Sequence, residues 1–249
     1  MTLPIGIDEP SSVITWRKPV ATYSLIVMNS VIFFVLSTSY TALGFRSYDE
    51  VLQILGTYPA DILYPGTLYR VFTAMFLHAD ILHLFGNMLF LFVFGRDIER
   101  VTGSTKFLLL YFLAGLIADV FNTLSVAILP QSALLSRAQA AVLPWTIPAV
   151  GASGAISGIL GAYLILFPRT RLLTFFWFFP MLMTAELYIF IWFLYQLLLG
   201  LTFWGSTGIA FWAHIGGFIG GIALIPFFLD KEIVRYLRMR RRMVIWYYM

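Results

Sequence analysis

The sequence predicts an all-α polytopic membrane protein, a bundle of six transmembrane helices. Of its 249 residues, 60% are hydrophobic and only 11% charged, and the mean hydropathy is +0.88. A soluble domain carries about 25% charged residues. The apolar residues fall in long runs, and about 20 in a row are needed to cross the hydrocarbon core. Basic residues flank those runs, so the formal charge of +4 speaks for membrane orientation rather than nucleic acid. There is no cysteine, which excludes disulfides, thiolate metal sites and a cysteine nucleophile.

The first span is expected over residues 21–43, after Arg17 and Lys18. It is too long and too far from the start for a cleaved signal peptide. Residues 44–82 mix apolar and polar side chains with several Pro and Gly, and are expected to form an extramembrane or interfacial loop. The second span begins near His83 and is expected to stop at Arg96-Asp97-Ile98-Glu99-Arg100. The third covers 106–129, and a proline-bearing connection, 130–148, follows. The fourth, 149–167, is rich in Gly, Ala and Ser and ends at Pro168, Arg169 and Arg171. The fifth, 172–201, is aromatic, with Pro180 kinking it or marking its true start. The sixth, 207–229, is glycine-rich and leads into a basic run. The domain organisation expected is a cytoplasmic N-terminal segment (1–20), a core (21–230) and a basic cytoplasmic tail (231–249), solvated or lying on the membrane surface.

With the N-terminus in the cytoplasm, all but three of the 16 Lys and Arg fall inside, the exceptions being Arg46, Arg70 and Arg137. That bias favours both termini inside and an even number of spans. Spans two, four and six then all begin on the outer side. Ionisable and polar residues inside a bilayer are costly, so each calls for a reason. The chain has three histidines, His78, His83 and His214. His83 and Asn87, spaced i, i+4, share one helix face. Ser153 lies ~6 Å into span four and His214 ~10 Å into span six at about 1.5 Å per residue. Three distant segments thus bring polar groups to one level in the outer part of the membrane.

Span four opens Val150-Gly151-Ala152-Ser153-Gly154-Ala155-Ile156-Ser157-Gly158. One reading is close packing, since Gly154, Gly158 and Gly161 admit a neighbouring helix. The other is a nucleophile whose first-turn N–H groups are free to hold an oxyanion. Span six carries Ala213-His214-Ile215-Gly216-Gly217-Phe218-Ile219-Gly220-Gly221, with two overlaid GxxxG spacings. Its glycine face is expected to press on span four and bring His214 within hydrogen-bond reach of Ser153.

The set His83…Asn87, Gly151-Ala152-Ser153-Gly154 and Ala213-His214…Gly217…Gly221 resembles the rhomboid intramembrane serine proteases. Tyr69-Arg70 and Gly95-Arg96-Asp97-Ile98-Glu99…Gly103 match further family stretches, so the resemblance covers the six-span core. It implies Ser153 as nucleophile and His214 as general base, a dyad with no third carboxylate. It further implies an oxyanion hole from His83, Asn87 and the Ser153 backbone N–H. Gly217 and Gly221 would provide the helix contact, against Gly154 and Gly158. Arg70 and Glu99 would support the first loop, with His78 as a loop-bracing hydrogen bonder, and the fifth span would border lateral substrate entry. The implied partners are transmembrane protein substrates and membrane lipids, with no nucleic acid. Neither cofactor nor metal is expected, and the expected location is a prokaryotic plasma membrane.

Ser157 departs from members that place an aromatic four residues after the nucleophile, so the neighbours of His214 are left open. Asp119 and Glu186 match no motif, Glu186 being expected near the inner interface. Two alternatives stand beside the protease: a catalytically silent rhomboid-like protein that binds membrane clients, and a transporter or channel, toward which only Asp119 points.

Overall fold

Glu99 starts the first membrane helix although it lies 77 residues further along the chain than Thr22. The computed structural model describes residues 3–6, 17–128, 145–176, 179–203, 209–231 and 233–234. Helix α1 (Val20–Ser39) has no side-chain cap of its own at Pro19. Instead the buried Glu99 carboxylate accepts from Ala21 N (2.8 Å), Thr22 N (2.7 Å) and Thr22 Oγ1 (2.7 Å), and from Ser104 Oγ (2.6 Å). First-turn N–H groups lack intrahelical partners and the helix dipole favours an anion there. Glu99 therefore caps α1 and does not support the first loop, a correction to the sequence expectation.

After a 3₁₀ turn (Tyr40–Leu43), the first connection is itself structured. Helix α2 (Tyr48–Leu55) is capped by Ser47, whose hydroxyl accepts from Glu50 N. Short turns at Asp61–Leu63 and Pro65–Thr67 lead to α3 (Tyr69–Ala74). Arg70 ties this region together: it pairs with Asp61 at 3.6 Å and lies over the Tyr58 and Tyr69 rings. Thr73 Oγ1 donates to the Leu55 carbonyl at 2.6 Å, joining α2 to α3.

Helix α4 (Ile81–Thr102) is capped by Asp80, which accepts from His83 N at 2.8 Å. It does not stop at the charged cluster Arg96–Arg100 but runs through a π turn (Leu91–Gly95) to Thr102. The charges are accommodated by partners: Arg96 stacks on Phe92 at 4.4 Å, Arg100 lies 3.6 Å from Asp97, and Tyr163 OH donates to Asp97 at 3.1 Å. Gly103, at φ 81°, ends the helix.

Next come α5 (Ser104–Ile128) and α6 (Ser153–Leu166), then strands β2 (Arg171–Phe176) and β3 (Phe179–Thr184), and finally α7 (Ala185–Phe203) and α8 (Phe211–Phe228). Among the described residues five helical segments are long and apolar enough to cross a membrane: α1 with its turn, α4, α5, α7 and α8. The fourth expected span, α6, has 14 residues, ~21 Å of helix against a hydrocarbon core of about 30 Å. Its central residues, 155–163, are buried, and it packs against α5 and α8.

The fifth span begins at Ala185, not residue 172. The stretch before it is a hairpin paired from Arg171↔Thr184 to Phe176↔Phe179. Strand β1 (Leu3–Gly6) adds to it, antiparallel from Leu3↔Phe175 to Gly6↔Leu172, giving the order β1-β2-β3. The fold is thus predominantly helical with one small sheet, and residues 3–6 of the N-terminal segment are part of it. Glu186, whose N–H donates to the Pro168 carbonyl, sits in the first turn of α7 beside the hairpin. Nearby, Lys106 and Arg17 hold the Asp230 carboxyl below the usual carboxylate range. Asp119 lies half-buried on α5, where Thr123 Oγ1 donates to its carbonyl and to that of Pro59. Most of the 130–148 connection and of the basic tail falls outside the described residues.

Candidate active site

Backbone lies on backbone where α6 crosses α8. A β-carbon at Gly217 would run into the Gly154 carbonyl, and one at Gly221 into the Gly158 carbonyl. Ala118 and Ala114 of α5 fill the space beside Gly154 and Gly158. Gly216 and Gly220 of α8 face Phe121 and Ile117, so α8 rests on α5 as well as on the expected α6. This approach brings His214, three residues before Gly217, onto the first residue of α6. His214 Nε2 lies 2.8 Å from Ser153 Oγ. Both side chains are part-exposed and so reachable.

The segment entering α6 is held just as closely. Gly151 has φ 124°, and its N–H donates to the Ala74 carbonyl at 2.9 Å. Only glycine adopts that conformation freely. A β-carbon there would also lie 2.8 Å from His83 Nε2 and 3.5 Å from Ser153 Oγ, which puts the His83 ring beside the serine. His83 Nδ1 accepts from Ala79 N at 3.4 Å. The proton then belongs on Nε2, making that nitrogen a donor. One turn along α4, Asn87 Nδ2 is buried with no hydrogen-bond partner. Unpaired buried donors are rare, and this one is on the same helix face as His83.

The His78 side chain is fully buried, and its ring meets His83 edge-on at 5.2 Å. The His78 carbonyl also braces the loop, accepting from Tyr48 OH at 2.5 Å. The ring packs as an apolar plate. Burial, with the neighbouring His83, pushes its imidazole pKa down to about 3.

Three residues around His214 answer what the sequence left open. Trp192 and Phe211 flank the ring at centroid distances of 6.4 and 6.5 Å. Gln196, on α7, places Oε1 2.8 Å from His214 Nδ1. Sequence reasoning missed Gln196, although a lone amide inside an aromatic span was a signal in itself. Ser157 takes no part beneath the imidazole; its hydroxyl donates to the Ser153 carbonyl at 2.6 Å. The described residues hold no cluster of three or more potential metal-ligating His, Asp or Glu. The arrangement can deprotonate a hydroxyl and offer donors to an oxygen that becomes negative beside it.

The rhomboid domain family model matches residues 65–231. The chain is 33% identical to "Rhomboid protease GluP" of Bacillus subtilis over 147 residues, 59% of this chain but only 24% of that protein. It is 29% identical to "Rhomboid-like protease 3" of Toxoplasma gondii over 238 residues, 88% of this chain and 72% of that one. "Inactive rhomboid protein 1" of Drosophila melanogaster is 27% identical over 115 residues, 46% of this chain and 7% of that protein. With its long apolar helices and this match across the central bundle, the chain is an integral membrane protein of several spans and belongs to the rhomboid family.

Proposed function

We propose that this protein is an intramembrane serine endopeptidase that cleaves transmembrane-anchored proteins near the outer face of a prokaryotic plasma membrane. The observation that carries the reading is the 2.8 Å contact between Ser153 Oγ and His214 Nε2 at the start of a buried helix. His214 takes the hydroxyl proton as Ser153 attacks the scissile carbonyl. The oxyanion is received by His83 Nε2, Asn87 Nδ2 and the Ser153 N–H, which the first turn of α6 leaves unpaired. His214 then hands the proton to the leaving amine, and water resolves the acyl-enzyme by the same steps reversed. A helical substrate already bonds its own backbone, so cleavage favours small or helix-destabilising residues where the span ends. The Lys and Arg bias supports the outer placement.

In vesicles with a transmembrane substrate, Ser153→Ala and His214→Ala are each expected to lower cleavage about 10³-fold or more. Asn87→Ala is expected to lower kcat about 10²-fold with KM little changed. Cleavage by both dyad variants at the wild-type rate would refute the reading. A client-binding relative without activity differs in one cheap observation: it would not react with a serine-directed fluorophosphonate.

A further inference from the structure

We propose that Gln196 is a positioning residue for the His214 base, so that the site is a serine–histidine–glutamine relay reaching across α6, α8 and α7. The proposal rests on the protease reading above and concerns how that base is prepared. His214 Nδ1 and Gln196 Oε1 are 2.8 Å apart, and His214 Nε2 and Ser153 Oγ are also 2.8 Å apart. The ring is therefore bonded at both nitrogens. An amide oxygen only accepts, so Nδ1 carries the proton. Nε2 is then left with its lone pair aimed at Ser153 Oγ, the form that can take the hydroxyl proton. Turning the amide over would present N–H to Nδ1, move the ring proton to Nε2 and disable the base. The tautomer is thus the quantity Gln196 controls.

Burial supports this role. Gln196 is 6% exposed, on a helix whose Leu187, Phe190, Ile191, Leu194 and Leu198 face outward. An amide removed from water costs a few kcal/mol unless it is hydrogen-bonded, so its bond to His214 gives it a reason to be there. An amide also suits a membrane span better than the carboxylate of a soluble triad. It selects the tautomer without adding a buried charge. It stabilises the imidazolium less, which limits its contribution to orientation and proton placement.

Gln196 is one of three residues at i, i+4, i+8 along α7 that meet the first turns of α8. Trp192 lies against the His214 ring, and the Gly200 carbonyl accepts from Trp212 Nε1 at 3.3 Å. A β-carbon at Gly200 would reach Phe211 Cβ at 3.3 Å. The seating of α7 on α8 is what delivers the amide to the imidazole. Displacing α7 withdraws it, so the base is ready only while that helix is docked.

The test uses the full-length protein in detergent, labelled with ¹⁵N-histidine. With three histidines in the chain, the His214 signals are identified by their loss in His214→Ala. Wild type is expected to show the Nδ1–H tautomer; Gln196→Leu is expected to lose that preference. Its kcat and its fluorophosphonate labelling rate should fall about ten- to a hundredfold, with KM within about twofold and an unchanged unfolding midpoint. Gln196→Glu, which keeps the acceptor, is expected to restore the tautomer and most of kcat. Gln196→Met, closer in shape, replaces the leucine variant if that one fails to fold. A wild-type tautomer and wild-type kcat in the leucine or methionine variant would overturn the proposal, as would an Nε2–H tautomer in the wild type. The tautomer is read without substrate, so it decides the role of Gln196 even if no cleavage is found. Absence of cleavage and labelling in wild type would instead overturn the protease reading.

Discussion

The His78 and His83 rings meet edge-on, yet their surroundings differ. His83 has its Nδ1 occupied by Ala79 N–H, while both nitrogens of His78 are buried. That burial has a pH signature. The folded protein keeps His78 neutral down to about pH 3, whereas an unfolded chain takes up the proton near 6.5. Between those values unfolding binds a proton. The contribution of His78 is therefore whole above about pH 6.5 and shrinks by ~1.4 kcal/mol per unit as the pH falls. His78→Phe keeps the plate and removes the titration. Its unfolding midpoint in detergent is expected to drop less than that of wild type between pH 7 and 5; equal slopes would refute the assignment. At this scale Ser153 and His214 were legible because a glycine-flanked serine and a glycine-flanked histidine fell at one expected depth under the orientation that the charge bias favours. Gln196 was not, because its meaning depends on where α7 docks, and no local pattern encodes that.

At the scale of elements, the sequence reading went astray where composition imitates a span. Residues 172–184 are as apolar as a membrane helix, but Pro180 and the flanking aromatics fit a hairpin, and periodicity cannot separate the two in so apolar a run. The cluster Arg96–Arg100 was read as a stop because charge ends spans in lipid; here Asp97 and Glu99 are buried among partners inside the bundle. The glycine seam, by contrast, was readable from spacing alone. Gly221→Ala is expected to lower stability by about 1–3 kcal/mol, because the added carbon overlaps the Gly158 carbonyl. Gly86→Ala on α4 meets nothing within 4 Å and should be neutral or stabilising by up to ~1 kcal/mol. Thermal unfolding of the two variants side by side checks the contrast; equal effects would place the seam's tightness in doubt.

For the whole molecule, composition was enough to name the solvent, and charge bias to propose an orientation. The native absence of cysteine makes that orientation easy to probe. Arg46 and Arg169 are both exposed, on opposite ends of the bundle by the expected topology. Arg46→Cys is expected to react with a membrane-impermeant maleimide on intact cells, and Arg169→Cys only after lysis. The reverse pattern would turn the site toward the cytoplasm. The sheet that joins β1 to the hairpin was invisible at this scale, since a four-residue strand gains meaning only from a partner far along the chain, as Leu3 does from Phe175.

The seam between α6 and α8 bears on how this protein can change over generations. Most packed pairs can exchange volume, one partner shrinking as the other grows, and so wander together through sequence. Where Gly217 meets Gly154 and Gly221 meets Gly158, neither side has anything left to give up. Every substitution there is an addition, and no reduction across the seam can answer it. The floor that carries Ser153 and His214 is consequently locked, and variation is left to the helices and the sheet that surround it.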